Sequence, residues 1–256
     1  MPGWSAASCF LNAITRVFSH NIYENRRCQK ATESLRHGAN CAGARGPLSA
    51  ISASIIAACA RALAGPSVRW VNVRPSTRQR VYFANHTSHL DFVVLWSVLP
   101  RKLRSMTRPV AAKDYWNSGL RKRIAVNAFH AVLVERGGRN VEGDRATAAR
   151  NTLGQLFQAL EEGNSLIVFP EGTRGNGLEV GPFKSGIYHL WAKRPDVQFV
   201  PVHLSNLNRI LPKGEFLPVP VISRVVFGPG LKLEEEETKE SFLQKAHAAV
   251  CALREA

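Results

Sequence analysis

From Ser67 onward, short runs rich in β-branched and aromatic residues alternate with stretches of helical periodicity, and this alternation restricts the fold more than any other feature. "VRWVNV" (68–73) and "RVYFAN" (80–85) read as strands, followed by a helix from about Ser88 to Leu99 that stops at Pro100. "SMTRPVAA" (105–112) is a weaker strand, a helix is expected over Tyr115–Ile124, and "HAVLVE" (130–135) is again a strand. Arg145–Glu162 sets Leu153, Leu156, Phe157 and Leu160 on one helical stripe, with Gly163 placed to end it. "SLIVFP" (165–170), "VQFVPVHL" (197–204) and "ISRVVFG" (222–228) supply further strands, and Ser241–Arg254 is a helix carrying Phe242, Leu243, Ala246, Val250 and Leu253. Strands separated by helices require crossover connections, so the expected fold is α/β: a largely parallel mixed sheet flanked by helices.

In such sheets ligands bind at the carboxyl ends of the strands. One of these ends reads "ANHTSHLDF" (84–92). Ser88-x-x-Asp91 fits a loose capping box, in which the carboxylate satisfies backbone donors at a gain of about 0.3–1 kcal/mol. The same residues also suit catalysis. An imidazole takes a proton from a hydroxyl when a carboxylate holds its other nitrogen, and a helix that starts at the strand end folds Asp91 back toward His86. H-x-x-H without further ligands is weak ground for a metal, and none is expected. No G-x-S-x-G elbow surrounds Ser88, which speaks against a hydrolase with that nucleophile. Two later strand ends deliver guanidiniums: "VERGG" (135–138) brings Arg136, and "FPEGTRG" (169–175) brings Arg174 behind a Pro-Glu-Gly turn. Guanidiniums are suited to gripping a phosphate, although Arg136 alone would equally serve a surface ion pair with Glu135 or Asp144.

Together these segments resemble the glycerolipid acyltransferase family, whose best-known members are the 1-acylglycerol-3-phosphate acyltransferases. "NHTSHLD" matches its H-x-x-x-x-D block at His86 and Asp91, "VERGG" its second block, "FPEGTRG" its third, and "FVPVHL" its fourth, centred on Pro201. The blocks occur in family order across about Val81 to Leu204; Thr87 stands where the family often has glutamine. The resemblance implies acyl transfer from acyl-CoA or an acyl carrier protein to the free hydroxyl of a lysophospholipid, with His86 as general base oriented by Asp91 and no other cofactor. It further implies that Arg136 and Arg174 hold the acceptor's phosphate. Glu171, Gly172 and Thr173 would shape the glycerol site, and Pro201 would support an acyl-binding wall. Backbone N–H groups at the start of the Ser88 helix are the expected oxyanion donors. Another lysolipid, such as lyso-ornithine lipid, would suit the same base. A non-catalytic lipid-binding protein is the reading from another class, and it has no use for an oriented base.

Charge narrows the partners. Thirty-four Lys and Arg against 19 Asp and Glu leave a net +15, which favours an anionic partner. Nucleic acid is not expected, because no aromatic RNP-like strand, zinc-finger spacing or recognition helix accompanies the charge. An anionic membrane surface fits better: Lys113 and Arg121–Arg123 would each add about 1 kcal/mol near anionic lipid. Residues 1–46 read as a basic extension with a possible helix over 10–23, 47–66 as an amphipathic helix, and 67–256 as the acyltransferase domain. Leu48, Ile51, Ile55, Cys59 and Leu63 recur at helical spacing within an uncharged run shorter than the roughly 20 residues a bilayer requires. That stripe would either pack in the core or dip into a membrane interface. Five scattered cysteines without a C-x-x-C pair suit a reducing compartment. With no basic segment before the uncharged first residues, no signal peptide is expected, and attachment at the cytoplasmic face of a membrane, peripheral or interfacial, is the expected location.

Overall fold

Arg80–Ala84 and Ser165–Val168 are buried at every position, as only strands covered on both faces are. Both lie inside a seven-stranded sheet in the computed structural model, which describes residues 47–88, 90–113, 128–135, 142–210, 222–233 and 236–256. The helices expected over 10–23 and 115–124 fall outside those residues. In chain order the elements are α1 (Pro47–Ala64), β1 (Ser67–Trp70), β2 (Arg80–Ala84), α2 (Asp91–Val98), α3 (Arg101–Ser105), β3 (Thr107–Ala112) and β4 (Val132–Val134). There follow α4 (Glu142–Glu161), β5 (Ser165–Val168), α5 (Gly186–Lys193), β6 (Gln198–Ser205), α6 (Leu207–Ile210), β7 (Arg224–Phe227) and α7 (Lys239–Ala252).

The strand order is β1-β7-β6-β2-β5-β3-β4. Strands β2 to β6 run parallel, whereas β7 is antiparallel to β6 and β1 follows β7's direction. The expected mixed, largely parallel sheet is therefore present. Alternation along the strands splits the core in two. Tyr82, Ala84, Ile167, Val200 and Val202 join the cluster containing α1 and α2 residues, whereas Val81, Phe83, Leu166, Val168 and Phe199 join residues of α4, α5 and α7. The chain crosses from β2 to β3 on one side, returns to β5 beside β2, and then places β6 on β2's other side. This reversal makes the carboxyl end of β2 a topological switch point.

Several boundaries differ from those read in the sequence. Strand β1 ends at Trp70 because Asn72 turns the chain at φ 51°, and Trp70 instead stacks on Phe227 at 3.8 Å. Pro100 ends α2, as its sequence predicts, but its fixed φ also starts the short α3. Helix α5 was not anticipated. Helix α4 ends as expected, with Gly163 in the left-handed region at φ 79°. In α1 the residues facing the core are small: Ser52, Ala53, Ala57, Ala60 and Ala64 are buried together with Ile56. Ile51 and Ile55, from the stripe read as apolar, point outward at 55% and 42% exposure. Core packing of Ile51 and Ile55 is thereby excluded, since small residues let α1 approach α2 closely and leave the larger ones outside.

Candidate active site

The site begins where β2 stops pairing. The β2–β6 ladder ends at Ala84 opposite Val202, and Asn85 extends it by side chain. Its Nδ2 donates to the Leu204 carbonyl (2.9 Å), and the Leu204 N–H donates to Oδ1 (2.8 Å). A buried amide thus imitates one more strand residue and fixes the launch point of His86.

His86 Nδ1 lies 2.8 Å from Asp91 Oδ2, and Asp91 has no exposed surface. The same oxygen accepts the N–H groups of Thr87 (2.5 Å) and Ser88 (2.8 Å). An oxygen already collecting backbone donors calls for a third donor from the ring, so Nδ1 carries the hydrogen and Nε2 the lone pair. The Phe169 ring stacks on the imidazole at 4.4 Å. Capping and orientation are therefore one arrangement. The Ser88 N–H to Asp91 contact is half of a capping box, while the Asp91 N–H goes to the Ser88 carbonyl (3.3 Å) rather than its hydroxyl. Ser88 Oγ accepts the Leu90 N–H instead, at 3.3 Å. The N–H groups of Thr87, Ser88, Leu90 and Asp91 are all taken internally, so these four donors at the helix start are not free for an oxyanion.

The loop after β5 holds His86 from the other side. Glu171 Oε1 accepts the His86 N–H (2.8 Å), Oε2 accepts the Gly181 N–H (3.2 Å), and the Gly175 N–H donates to the His86 carbonyl (2.8 Å). Burial pushes the Glu171 carboxyl above its ordinary value, and the two backbone hydrogen bonds oppose that shift. Gly172 adopts φ 69°, a conformation that costs glycine little. Thr173 and Arg174 stand exposed on the loop, and Arg174 makes no ion pair among the described residues. Pro201 is buried within β6, opposite Phe83, and accepts the Gly228 N–H at 2.9 Å. Arg136 and Arg121–Arg123 lie outside the described residues. Glu135, a candidate partner for Arg136, pairs with Lys113 at 2.5 Å. That ammonium holds the Glu135 carboxyl below its ordinary value.

Asn85, Phe169, Gly175 and Gly181 were not read from the sequence as site residues. Asn85 left a trace, as a polar residue ending an apolar strand. The two glycines act through backbone N–H groups, which leave no side-chain signature.

The family profile described as Acyltransferase matches residues 67–205, more than half of the chain, including His86, Asp91 and the Glu171 loop. The chain belongs to the acyltransferase family. Among curated relatives, a 1-acyl-sn-glycerol-3-phosphate acyltransferase of Haemophilus influenzae is 31% identical over 137 residues, covering 50% of this chain and 51% of that protein. Its namesake in Cocos nucifera is 27% identical over 177 residues, covering 68% and 53%. The chain spans about half the length of the curated relatives it matches. Among solved structures, a 1-acyl-sn-glycerophosphate acyltransferase of Thermotoga maritima superposes with a TM-score of 0.60 across 97% of both chains at 16% identity, a likeness of fold.

Proposed function

We propose that this member of the acyltransferase family transfers an acyl chain from acyl-CoA or an acyl carrier protein to the free hydroxyl of 1-acylglycerol-3-phosphate, giving phosphatidic acid. The observation that carries the reading is the His86 Nδ1–Asp91 Oδ2 contact of 2.8 Å, at the carboxyl end of the central strand. The acceptor named for the relatives, 1-acyl-sn-glycerol-3-phosphate, supplies the choice of acceptor.

His86 Nε2 removes the acceptor's hydroxyl proton while Asp91 steadies the imidazolium that forms. The alkoxide-like oxygen attacks the thioester carbonyl, the tetrahedral intermediate collapses, and the leaving thiolate takes the proton back from Nε2. The intermediate's oxyanion is met by donors other than the four N–H groups already engaged. Thr87 and Ser88 serve through their backbone, and no acyl-enzyme forms on either. Arg174 and Arg136 bind the acceptor's phosphate. Glu171, with Gly172 and Thr173, shapes the glycerol site by keeping the His86 backbone in place. Pro201 supports the site from within the sheet.

A lipid acceptor requires membrane contact. No helix among the described residues is long and apolar enough to cross a membrane. The outward Ile51 and Ile55 of α1 border a shallow apolar depression of about 410 Å³ that also includes Ser54, Ala58 and Arg101. That combination of an apolar face with a cation beside it suits peripheral attachment to anionic lipid at the cytoplasmic face. In a mass-spectrometric assay with lysophosphatidic acid and lyso-ornithine lipid as acceptors and acyl-CoA or acyl carrier protein as donor, wild type is expected to form phosphatidic acid and His86→Ala none. Unchanged turnover in the variant would remove His86 as the base.

A further inference from the structure

A Cβ built on Gly172 would lie 2.6 Å from Lys184 Nζ and 3.0 Å from its Cδ and Cε. The lysine's outer chain therefore lies flat on the backbone of the loop that grips His86, in space that any residue but glycine would claim. Its placement is set by the main chain. The Lys184 N–H donates to the Pro170 carbonyl (2.9 Å), and the Gly181 N–H donates to Glu171 Oε2 (3.2 Å), so residues 181–184 are tied to the Pro170–Glu171 turn. Phe183, buried next to it, is anchored edge-on against Phe83 of β2. The same turn takes the His86 N–H on Glu171 Oε1, so one short loop contacts both His86 and Lys184.

A packed surface lysine ordinarily answers a carboxylate. Lys184 answers none among the described residues. Glu171, on the turn to which Lys184 is tied, spends one oxygen on the His86 N–H and the other on the Gly181 N–H. The ammonium is exposed, and it shares its loop with exposed, unpaired Arg174. A strongly hydrated point charge held on the loop that grips a base, without an anion of its own among the described residues, is suited to an incoming phosphate oxygen.

We propose that Lys184 binds a substrate phosphate at the mouth of the His86 site, acting with Arg174. The proposal rests on the acyl-transfer reading for the source of that phosphate: the acceptor's phosphomonoester or the phosphates of a coenzyme A donor.

Calorimetric binding to full-length wild type, Lys184→Met and Lys184→Arg tests it without turnover. The probes are 1-acylglycerol-3-phosphate and monoacylglycerol in matched micelles, and free coenzyme A. Methionine keeps the alkyl packing on Gly172 and removes the charge. Lys184→Met is expected to weaken 1-acylglycerol-3-phosphate about tenfold or more, with monoacylglycerol unchanged and most of the loss recovered in Lys184→Arg. A charge-dependent loss confined to coenzyme A supports the site and assigns it to the donor. Equal losses for the phosphate-bearing and phosphate-free acceptors, no loss for any probe, or a wild type indifferent to phosphate each overturn it. Phosphate-dependent binding by wild type without any acyl transfer would sink the proposed reaction and leave the Lys184 result readable.

Discussion

At the scale of single residues, chemistry converges on one atom. Asp91 Oδ2 accepts from Thr87 N–H, Ser88 N–H and His86, while Oδ1 is buried without a hydrogen-bond partner among the described residues. The asymmetry makes Asp91→Asn informative. In one orientation the amide oxygen replaces Oδ2, keeps all three donors, and places its NH₂ where nothing accepts it. In the other, the NH₂ confronts three donors. Either way the charge that steadies an imidazolium is gone, at a stability cost of about 1–3 kcal/mol. Acyl transfer is expected to fall about 10³- to 10⁴-fold, by analogy with removal of the triad carboxylate in serine proteases. Mass-spectrometric turnover beside a circular-dichroism melt checks this; activity within tenfold of wild type in a folded variant would end the orienting role. Of this centre, His86 and Asp91 were legible because only five positions separate them in the link from strand end to helix start. Asn85 was not, because its meaning depends on Leu204, a residue 119 positions away.

At the scale of elements, α1 shows how a correct pattern can leave the side it faces undecided. The spacing of Ile51 and Ile55 gives a helix, as found, but the sequence does not say which of two apolar faces turns inward. Alanines won the interior, because Ala53, Ala57, Ala60 and Ala64 form a face low enough for α2 to approach. The outward isoleucines then remain for a lipid interface. Replacing both Ile51 and Ile55 with Lys should leave the thermal melt nearly unchanged, since neither side chain is in the core. Each isoleucine buried in lipid is worth about 1.5–3 kcal/mol, so sedimentation with neutral vesicles should weaken about a hundredfold or more. Neutral vesicles keep the added lysines from substituting electrostatic attraction for lost apolar contact. Binding equal to wild type would remove α1 from the interface. Helix α5 went unread because its eight residues are too few to separate a helix from a buried strand by periodicity.

At the scale of the whole molecule, strands and helices were legible but not strand neighbours. Composition and period mark β7 as a strand; nothing in "RVVF" says that it lies between β6 and β1 and runs antiparallel to β6. That arrangement has a consequence on β6. His203, paired with Val226 of β7, is buried with its Nδ1 3.2 Å from Ser205 Oγ. Burial, reinforced by Arg254 and Arg224, pushes its pKa from 6.5 down to about 4. The folded protein thus keeps this imidazole neutral in a range where the unfolded chain protonates it. Between about pH 6.5 and pH 4 the unfolded state binds the extra proton, so stability falls as pH falls and levels off below about 4. The difference of about 2.5 pKa units corresponds to about 3 kcal/mol lost across that window. His203→Gln retains a polar side chain for Ser205 and cannot titrate. Denaturant melts from pH 7 to pH 4 should therefore show the variant losing about 3 kcal/mol less than wild type, whatever its starting stability. Parallel curves would mean that His203 is already protonated in the folded protein and that its pocket admits the charge.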